Sequence, residues 1–215
     1  MNETAGRQSK SGLYSTNTFA LATLKACEDN LGLSGLNALL EHAHLEHLIG
    51  QFPPKNRNKE FDFADYTALM SAIDETYGPR DARIMKLRIG KSSFLDLLAI
   101  YGSMVGAVDL AFKLLPFPLR LRLGVNAMAK IFNRFSDVKT LVVEHNDDFD
   151  YVIEQCPMCW GHSGATSPVC FSQVGLLKGG LAWLSDGKEF DVKEIHCKAM
   201  GDSTCTFRIH KKPLD

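Results

Sequence analysis

The sequence has no excess of either charge and no long apolar run. Its 24 basic and 25 acidic residues give a formal net charge of -1. A chain without a broad positive field is a poor match for nucleic acid or for an anionic membrane surface. The longest apolar stretch, Leu97 to Leu110, has about 14 residues, whereas a bilayer span needs roughly 18 to 20. We therefore expect no direct nucleic-acid partner and no transmembrane segment.

The amino terminus lacks the features of a secretion signal. Met1 to Thr18 is polar and has no apolar segment behind a basic start. We therefore expect a disordered tail over residues 1–18 and a cytoplasmic protein. In a reducing compartment the six cysteines are not expected to form a disulfide framework. Five of them crowd the last third of the chain, which suggests a metal site.

Hydrophobic periodicity predicts an α+β fold. From Asn17 to about Asp137 the apolar residues recur at helical spacing. After Lys139 the period changes to two, which predicts one β-hairpin over residues 141–153 and another over residues 189–210. We expect a single domain at 19–210 and a short tail at 211–215, with the helical half packed on an antiparallel sheet.

A helix is predicted between the two hairpins. Val169 to Leu184 is amphipathic and follows Ser167 and Pro168. Glycines within this run each cost roughly 1 kcal/mol relative to alanine. Gly179 and Gly180 could instead allow another backbone to approach closely. We expect this helix to cross the sheet.

Three cysteines are predicted to converge near the last hairpin. A tight turn between the final strands makes Cys197 and Cys205 neighbours. Cys170 lies at the start of the crossing helix, whose amides favour an anionic sulfur. A structural zinc ion needs four such ligands. The pattern leaves the fourth open among Glu194, His196, Cys156 and Cys159.

Two of these candidates need comment. Glu194 lies three residues before Cys197, so a regular strand points it to the opposite face, and its use requires a bulge or twist near Ile195. Cys156 and Cys159 form a C-x-x-C pair after a predicted strand. Such a pair is compatible with plain packing, with a zinc knuckle or with a redox role.

The carboxyl-terminal residues resemble a known family. Pro168-Val-Cys170 and the run E-x-x-C-x-x-x-G-D-x-x-C-x-F from Glu194 to Phe207 resemble the 4-vinyl reductase domain, a small-molecule-binding module. The family includes sensor domains of phenol- and xylene-responsive transcription activators and a bacteriochlorophyll-biosynthesis protein once assigned to vinyl reduction. Its fold resembles that of vesicle-tethering subunits that cradle an acyl chain.

The resemblance implies a ligand set for zinc. In the aromatic-sensing members three cysteines and one glutamate hold the ion. Four protein ligands leave no open position for a substrate, so such an ion would be structural. The matching positions in this chain are Cys170, Glu194, Cys197 and Cys205.

Two further expectations follow from the resemblance. Cys156 and Cys159 lie outside the quartet and are candidates for a second thiol site. The activators continue into ATPase and DNA-binding regions, and none follows His210. We therefore expect output through a homodimer or a separate output protein.

An apolar pocket is expected between the helical half and the sheet. Its candidate lining residues are His47, Tyr101, Met104, Phe112, Phe132 and Trp160. The alternative for each of these side chains is ordinary core packing. For His47, a pocket position would allow a hydrogen bond to a ligand or ligation of the metal of a haem or chlorin.

Three functions are compatible with these features. The leading hypothesis is a sensor or carrier whose aromatic, tetrapyrrole or other hydrophobic ligand shifts the helical half between two packings. The second is an enzyme that performs or assists reduction of a tetrapyrrole vinyl group in bacteriochlorophyll biosynthesis. It is less favoured because no glycine-rich phosphate-binding motif follows a strand to hold a hydride donor. The third is a scaffold that docks a partner or a membrane through residues 114–123.

Overall fold

The computed structural model describes residues 9–102 and 110–214. The helices in these ranges are α1 (Asn17–His42), α2 (Phe63–Tyr101), α3 (Leu110–Lys113), α4 (Phe117–Phe135) and α5 (Phe171–Leu184). The strands are β1 (Tyr14–Thr16), β2 (Lys59–Asp62), β3 (Thr140–Glu144), β4 (Asp148–Ile153), β5 (Phe190–His196) and β6 (Cys205–Pro213). This order confirms the α+β class. None of the helices in the described ranges is both long and apolar enough to cross a membrane.

Both chain ends are more structured than the sequence suggests. β1 pairs with β2, and polar side chains hold the segment in place. The Asn17 side chain donates to Glu60, and the Thr18 hydroxyl donates to the carbonyl of Asn56, both at 2.6 Å. At the other end β6 continues to Pro213. These hydrogen bonds correct the expectation of a tail for residues 14–18, and the length of β6 corrects it for residues 211–213.

The two long helices bend at glycines. Gly32 in α1 and Gly78 in α2 both have φ of 72°. This left-handed backbone conformation favours glycine, because a Cβ atom would clash there. Each bend lets a long helix follow the core without ending it.

The carboxyl-terminal half forms a four-stranded antiparallel sheet in the order β3-β4-β6-β5. Both predicted hairpins are confirmed, as β3 with β4 and β5 with β6. The two hairpins join through β4 and β6, where Ile153 pairs with Cys205. This long-range pairing brings the residues that follow Ile153 close to the start of β6.

Helix α5 confirms the predicted helix between the hairpins and packs directly on α2. A Cβ atom added at Gly90 would clash with the carbonyl of Ser172, and one added at Gly175 would clash with the carbonyl of Leu87. The two backbones therefore touch at both points, which glycine alone permits. Further along α5 a Cβ atom at Gly180 would lie 2.5 Å from Met128 Sδ, so the close approach expected there is also present.

The contact between α2 and α5 predicts a large effect of a single methyl group. Gly90→Ala should lower the free energy of unfolding by about 2–3 kcal/mol, because the helices must separate to admit it. The matched control is Gly35→Ala in α1, where the new methyl group meets the Leu31 side chain and no backbone. Urea denaturation measures both variants. Equal stability of the two variants would contradict the direct backbone contact.

Candidate functional site

Five thiols and one carboxyl group meet at the amino end of α5. Two of the cysteines follow β4, one immediately precedes α5, one follows β5 and one begins β6. All five cysteines are free and buried, and the carboxyl residue, in β5, is 9% exposed. The residues are Cys156, Cys159, Cys170, Glu194, Cys197 and Cys205.

The thiols of Cys170 and Cys205 lie at the centre of this cluster. Their sulfur atoms are 3.9 Å apart. Cys170 Sγ lies 3.7 Å from Cys156 Sγ and 4.0 Å from Cys197 Sγ. Cys205 Sγ lies 3.5 Å from Cys159 Sγ. The cysteines of the C-x-x-C pair are therefore part of one cluster and do not form a separate thiol site.

The cluster contains two overlapping sets of four donors. Within each set all donor atoms lie within 4.8 Å of one another, so either set could hold a metal ion. The first set is Cys156, Cys159, Cys170 and Cys205. The second is Cys170, Glu194, Cys197 and Cys205, the four residues that the sequence analysis names.

Glu194 reaches the cluster because β5 is irregular. The register with β6 shifts between Glu194 and His196, which confirms that a bulge near Ile195 is needed. Glu194 Oε2 accepts a hydrogen bond of 2.9 Å from the backbone N–H of Cys170. Its Oε1 is buried and has no hydrogen-bond partner among the described residues. A buried oxygen in this state is a natural metal ligand, since desolvation without a partner is unfavourable.

The turn between β5 and β6 positions the last two cysteines. Gly201 has φ of 100°, a conformation that requires glycine. Asp202 Oδ2 accepts a hydrogen bond of 2.8 Å from the backbone N–H of Cys197. The backbone N–H of Lys198 points to Cys205 Sγ at 3.4 Å. These contacts explain why glycine and aspartate stand together in the sequence motif.

Charge in the cluster is concentrated on one sulfur. Hydrogen bonds from the Cys159, Cys170 and Cys205 thiols lower the pKa of Cys197, which favours its thiolate. Burial, aided by the negative charge on Cys197, raises the pKa of Glu194 to about 8. The cluster thus holds one thiolate beside a neutral carboxyl group near pH 7. Ionisation of the remaining donors requires a cation.

A narrow apolar cavity lies on the other side of α5. Its volume is about 50 Å³, and the indole N–H of Trp183 is the single side-chain hydrogen-bonding group among the described lining residues. The cavity is bounded by α1, α2, α4 and α5. It is lined by Phe19, Phe94, Leu97, Leu98, Gly102, Gly124, Ala127, Met128, Ile131, Phe132, Leu176, Gly180, Trp183 and Leu184.

The predicted pocket residues divide between the cavity and its surroundings. Phe132 lines the cavity. Tyr101 is fully buried behind it and stacks on Phe19 at 5.4 Å. Phe112 stacks on the lining residue Trp183 at 6.1 Å.

The remaining pocket candidates lie elsewhere. Trp160 packs 6.5 Å from Phe63, away from the cavity lining. His47 is exposed, because α1 ends at His42 and His47 falls in the 3-10 turn that follows. This corrects its expected place on an apolar helix face. Met104 lies outside the described residues.

Comparison with known proteins identifies the region that carries the cluster. Residues 149–211 match the family model of the 4-vinyl reductase domain. The chain carries a 4-vinyl reductase domain. All six donors lie within the matched residues. No curated protein matches the chain in sequence.

Solved structures share the fold over most of the chain. An H-NOX protein from S. oneidensis is 15% identical with a TM-score of 0.56, and the match covers 93% of this chain and 99% of that chain. The phenol-responsive sensory domain of the transcription activator PoxR is 20% identical with a TM-score of 0.50, over 69% and 73% of the two chains. A trafficking protein particle complex subunit 3 from Naegleria fowleri is 14% identical with a TM-score of 0.55, over 71% and 93%. At these identities the likeness shows the fold alone.

The 4-vinyl reductase domain supplies one wall of the cavity, and the earlier helices supply the others. Sequence reasoning missed Phe19, Ala127 and Trp183 as lining residues. Apolar spacing marks such positions as buried but does not show which of them face an unfilled space. The small residues Gly124 and Gly180 were the available signal, because close helix approach at these points shapes the cavity.

The turn between β5 and β6 predicts a specific effect on metal binding. Gly201→Ala should lower the free energy of unfolding by about 1–2 kcal/mol, since alanine disfavours the left-handed region. It should also weaken Zn²⁺ binding, because the turn aligns Cys197 with Cys205. The control is Gly187→Ala, where φ is also 100° but the residue lies at the opposite end of α5. Unfolding and Zn²⁺ titrations are compared, and equal Zn²⁺ affinity in both variants would contradict the role of this turn.

Proposed function

We propose that the chain is a sensor or carrier module for a small apolar molecule. The ligand enters the cavity between the helical half and α5, and a structural zinc ion secures α5 to the sheet of the 4-vinyl reductase domain. The observation that carries this proposal is the position of α5. Its first turn begins at the cysteine cluster, and Leu176, Gly180 and Trp183 on the same helix line the cavity.

The chemistry of the cavity favours a compact hydrocarbon-like ligand. An apolar lining rewards the removal of apolar surface from water but offers little to a hydroxyl group, which is unfavourable to bury without a partner. A cavity of about 150 Å³ in another protein accommodates benzene. The present volume of about 50 Å³ therefore requires side chains such as Met128 and Leu184 to change rotamer on binding.

A haem or chlorin fits this cavity less well than a small aromatic compound. Of the seven histidines in the sequence, none lines the cavity in the part of the chain that the structure describes. The lining also lacks cysteine and tyrosine, the other frequent axial ligands of haem iron. Related folds hold varied ligands: titles of solved neighbours name heme, phenol and covalently bound palmitic acid. We therefore propose a small aromatic or aliphatic compound in preference to a tetrapyrrole.

Zinc fits the cluster on three observations. The four donors that the sequence analysis names lie within 4.8 Å of one another, Glu194 Oε1 has no partner among the described residues, and the thiols are buried and free. Bound zinc would supply a structural cross-link and no open position for chemistry. The ion would join the start of α5 to β5 and β6. Thiol ligands require reducing conditions, which supports the cytoplasm as the compartment.

In this proposal the ligand acts through its differential affinity for two packings of α5 against α4. A wider cavity binds the ligand better, so its presence favours the packing in which α4 and α5 move apart. Output then passes to a second copy of the chain or to a separate protein. The exposed apolar residues Leu114, Leu119 and Leu123 offer a surface for such a contact.

Ligand binding can be tested with a reporter inside the cavity. In a Trp160→Phe background, Trp183 is the single remaining tryptophan. Toluene should change its fluorescence saturably and raise the melting temperature. Phenol should bind about 5- to 100-fold more weakly, because its hydroxyl group is left without a partner. Haem should show no saturable binding.

A cavity-filling substitution provides the matched control for this experiment. Ala127→Phe places a ring in the cavity and should reduce toluene affinity by at least about tenfold, because the space is then occupied. Ala99→Phe adds the same ring at an exposed position of α2 outside the lining and should leave binding unchanged. Equal binding by both variants, or no binding of toluene to the parent, contradicts the proposed ligand site.

The metal proposal predicts a pH-dependent affinity. Below about pH 8 the metal-free site holds a protonated Glu194 and protonated thiols, and zinc must displace these protons. Zinc affinity should therefore fall as the pH is lowered from 8 to 6, by about tenfold per unit for each displaced proton. Competition with a chromogenic chelator at each pH measures the effect. Affinity that is constant over this range contradicts coordination by these donors.

A further inference from the structure

The C-x-x-C pair belongs to the cluster by topology. Cys156 comes three residues after Ile153, which pairs with Cys205 across β4 and β6. The chain that leaves β4 must therefore pass the start of β6. Cys159 Sγ reaches Cys205 Sγ at 3.5 Å, and Cys156 Sγ reaches Cys170 Sγ at 3.7 Å.

These separations match the edges of a metal-thiolate tetrahedron. Four sulfurs at about 2.3 Å from a zinc ion lie about 3.8 Å from one another. Three edges of the four-cysteine set measure 3.5, 3.7 and 3.9 Å. One ion therefore fits among these thiols with little movement. Because Cys170 and Cys205 belong to both sets, two ions cannot fill both sets at once.

We propose that the centre has two interchangeable pairs of ligands for one thiophilic divalent cation. Cys170 and Cys205 hold the ion in both states, and either Cys156 with Cys159 or Glu194 with Cys197 completes the tetrahedron. This inference rests on the metal site of the proposed function and extends it to the C-x-x-C pair. It makes the two pairs redundant, whereas the shared pair is indispensable.

The two arrangements attach the ion to different parts of the protein. The C-x-x-C loop is anchored on α2, where the Thr67 hydroxyl donates 2.8 Å to the carbonyl of Pro157. Met158 packs against the cores of both halves. The other pair lies on β5 and the turn that follows it. Exchange of ligands would therefore move the attachment of α5 between the helical half and the edge of the sheet.

Variants of the full-length chain test this redundancy with Zn²⁺ and Co²⁺. Cys197→Ala, Glu194→Gln and the double variant Cys156→Ala/Cys159→Ala should each retain one ion per chain. Cys205→Ala and the cross variant Cys159→Ala/Cys197→Ala should bind it more than about 100-fold more weakly, because each keeps fewer than four donors in either set. Cys27→Ala, which removes a buried cysteine remote from the cluster, controls for loss of a thiol.

The Co²⁺ spectrum distinguishes the two sets directly. Thiolate-to-cobalt charge transfer grows with the number of sulfur ligands, so Glu194→Gln should show four and Cys156→Ala/Cys159→Ala should show three. Glu194→Gln removes only a charge, so this comparison remains informative if a cysteine variant does not fold.

The outcomes separate the two proposals. Loss of the ion from both Cys197→Ala and Glu194→Gln, with one ion retained by the parent, overturns ligand exchange and leaves the zinc site of the proposed function intact. A parent chain that binds neither Zn²⁺ nor Co²⁺ overturns both. Retention by the single variants with loss from the cross variant supports the interchangeable pairs.

Discussion

The backbone contact between α5 and α2 is the constraint on which the rest of the structure depends. Gly90 and Gly175 bring the two helices so close that α5 cannot slide without opening both contacts. Helix α5 spans roughly 20 Å at 1.5 Å per residue. One end abuts the buried thiols and the other faces the apolar cavity. The two candidate sites are therefore connected by one rigid element, and a change in packing at either end bears on the other.

The cysteine cluster is an unusual way to fill a core. Buried cysteine alone behaves as a small apolar side chain, but Glu194 does not fit that account. Its unpartnered oxygen and its position beside the Cys197 thiolate are unfavourable in a dry interior. A divalent cation would remove both penalties, which is why the proposed ion makes physical sense of residues that packing leaves unexplained.

The fold by itself does not determine what the cavity binds. An H-NOX protein, a phenol-responsive sensory domain and a trafficking complex subunit share this architecture at 20% identity or less. Function on a shared fold lies in the side chains that line the site. Here the lining is apolar and has no histidine in the described part of the chain, which favours hydrophobic recognition over ligation of a haem iron.

Local patterns in the sequence determined a good part of this structure. Period-two alternation predicted both hairpins, and the spacing of Cys197 and Cys205 around Gly201 placed two thiols side by side, because strand geometry and tight turns are short-range properties. The need for a bulge beside Glu194 also followed from strand geometry. Alternation did not show that Leu141 and Val143 face outward on the edge strand β3, where both are at least 40% exposed, because it is the same for either face.

Tertiary structure decided the rest. The pairing of Ile153 with Cys205 joins residues about fifty positions apart, and it alone brings the C-x-x-C pair into the cluster. No local propensity encodes such a pairing, since it depends on how two hairpins meet. The cavity is likewise set by the approach of four helices, so exposed His47 and buried Phe19 could not be placed by periodicity. The sequence by itself determined which donors and apolar residues are present, and the packing of distant segments decided which of them face one another.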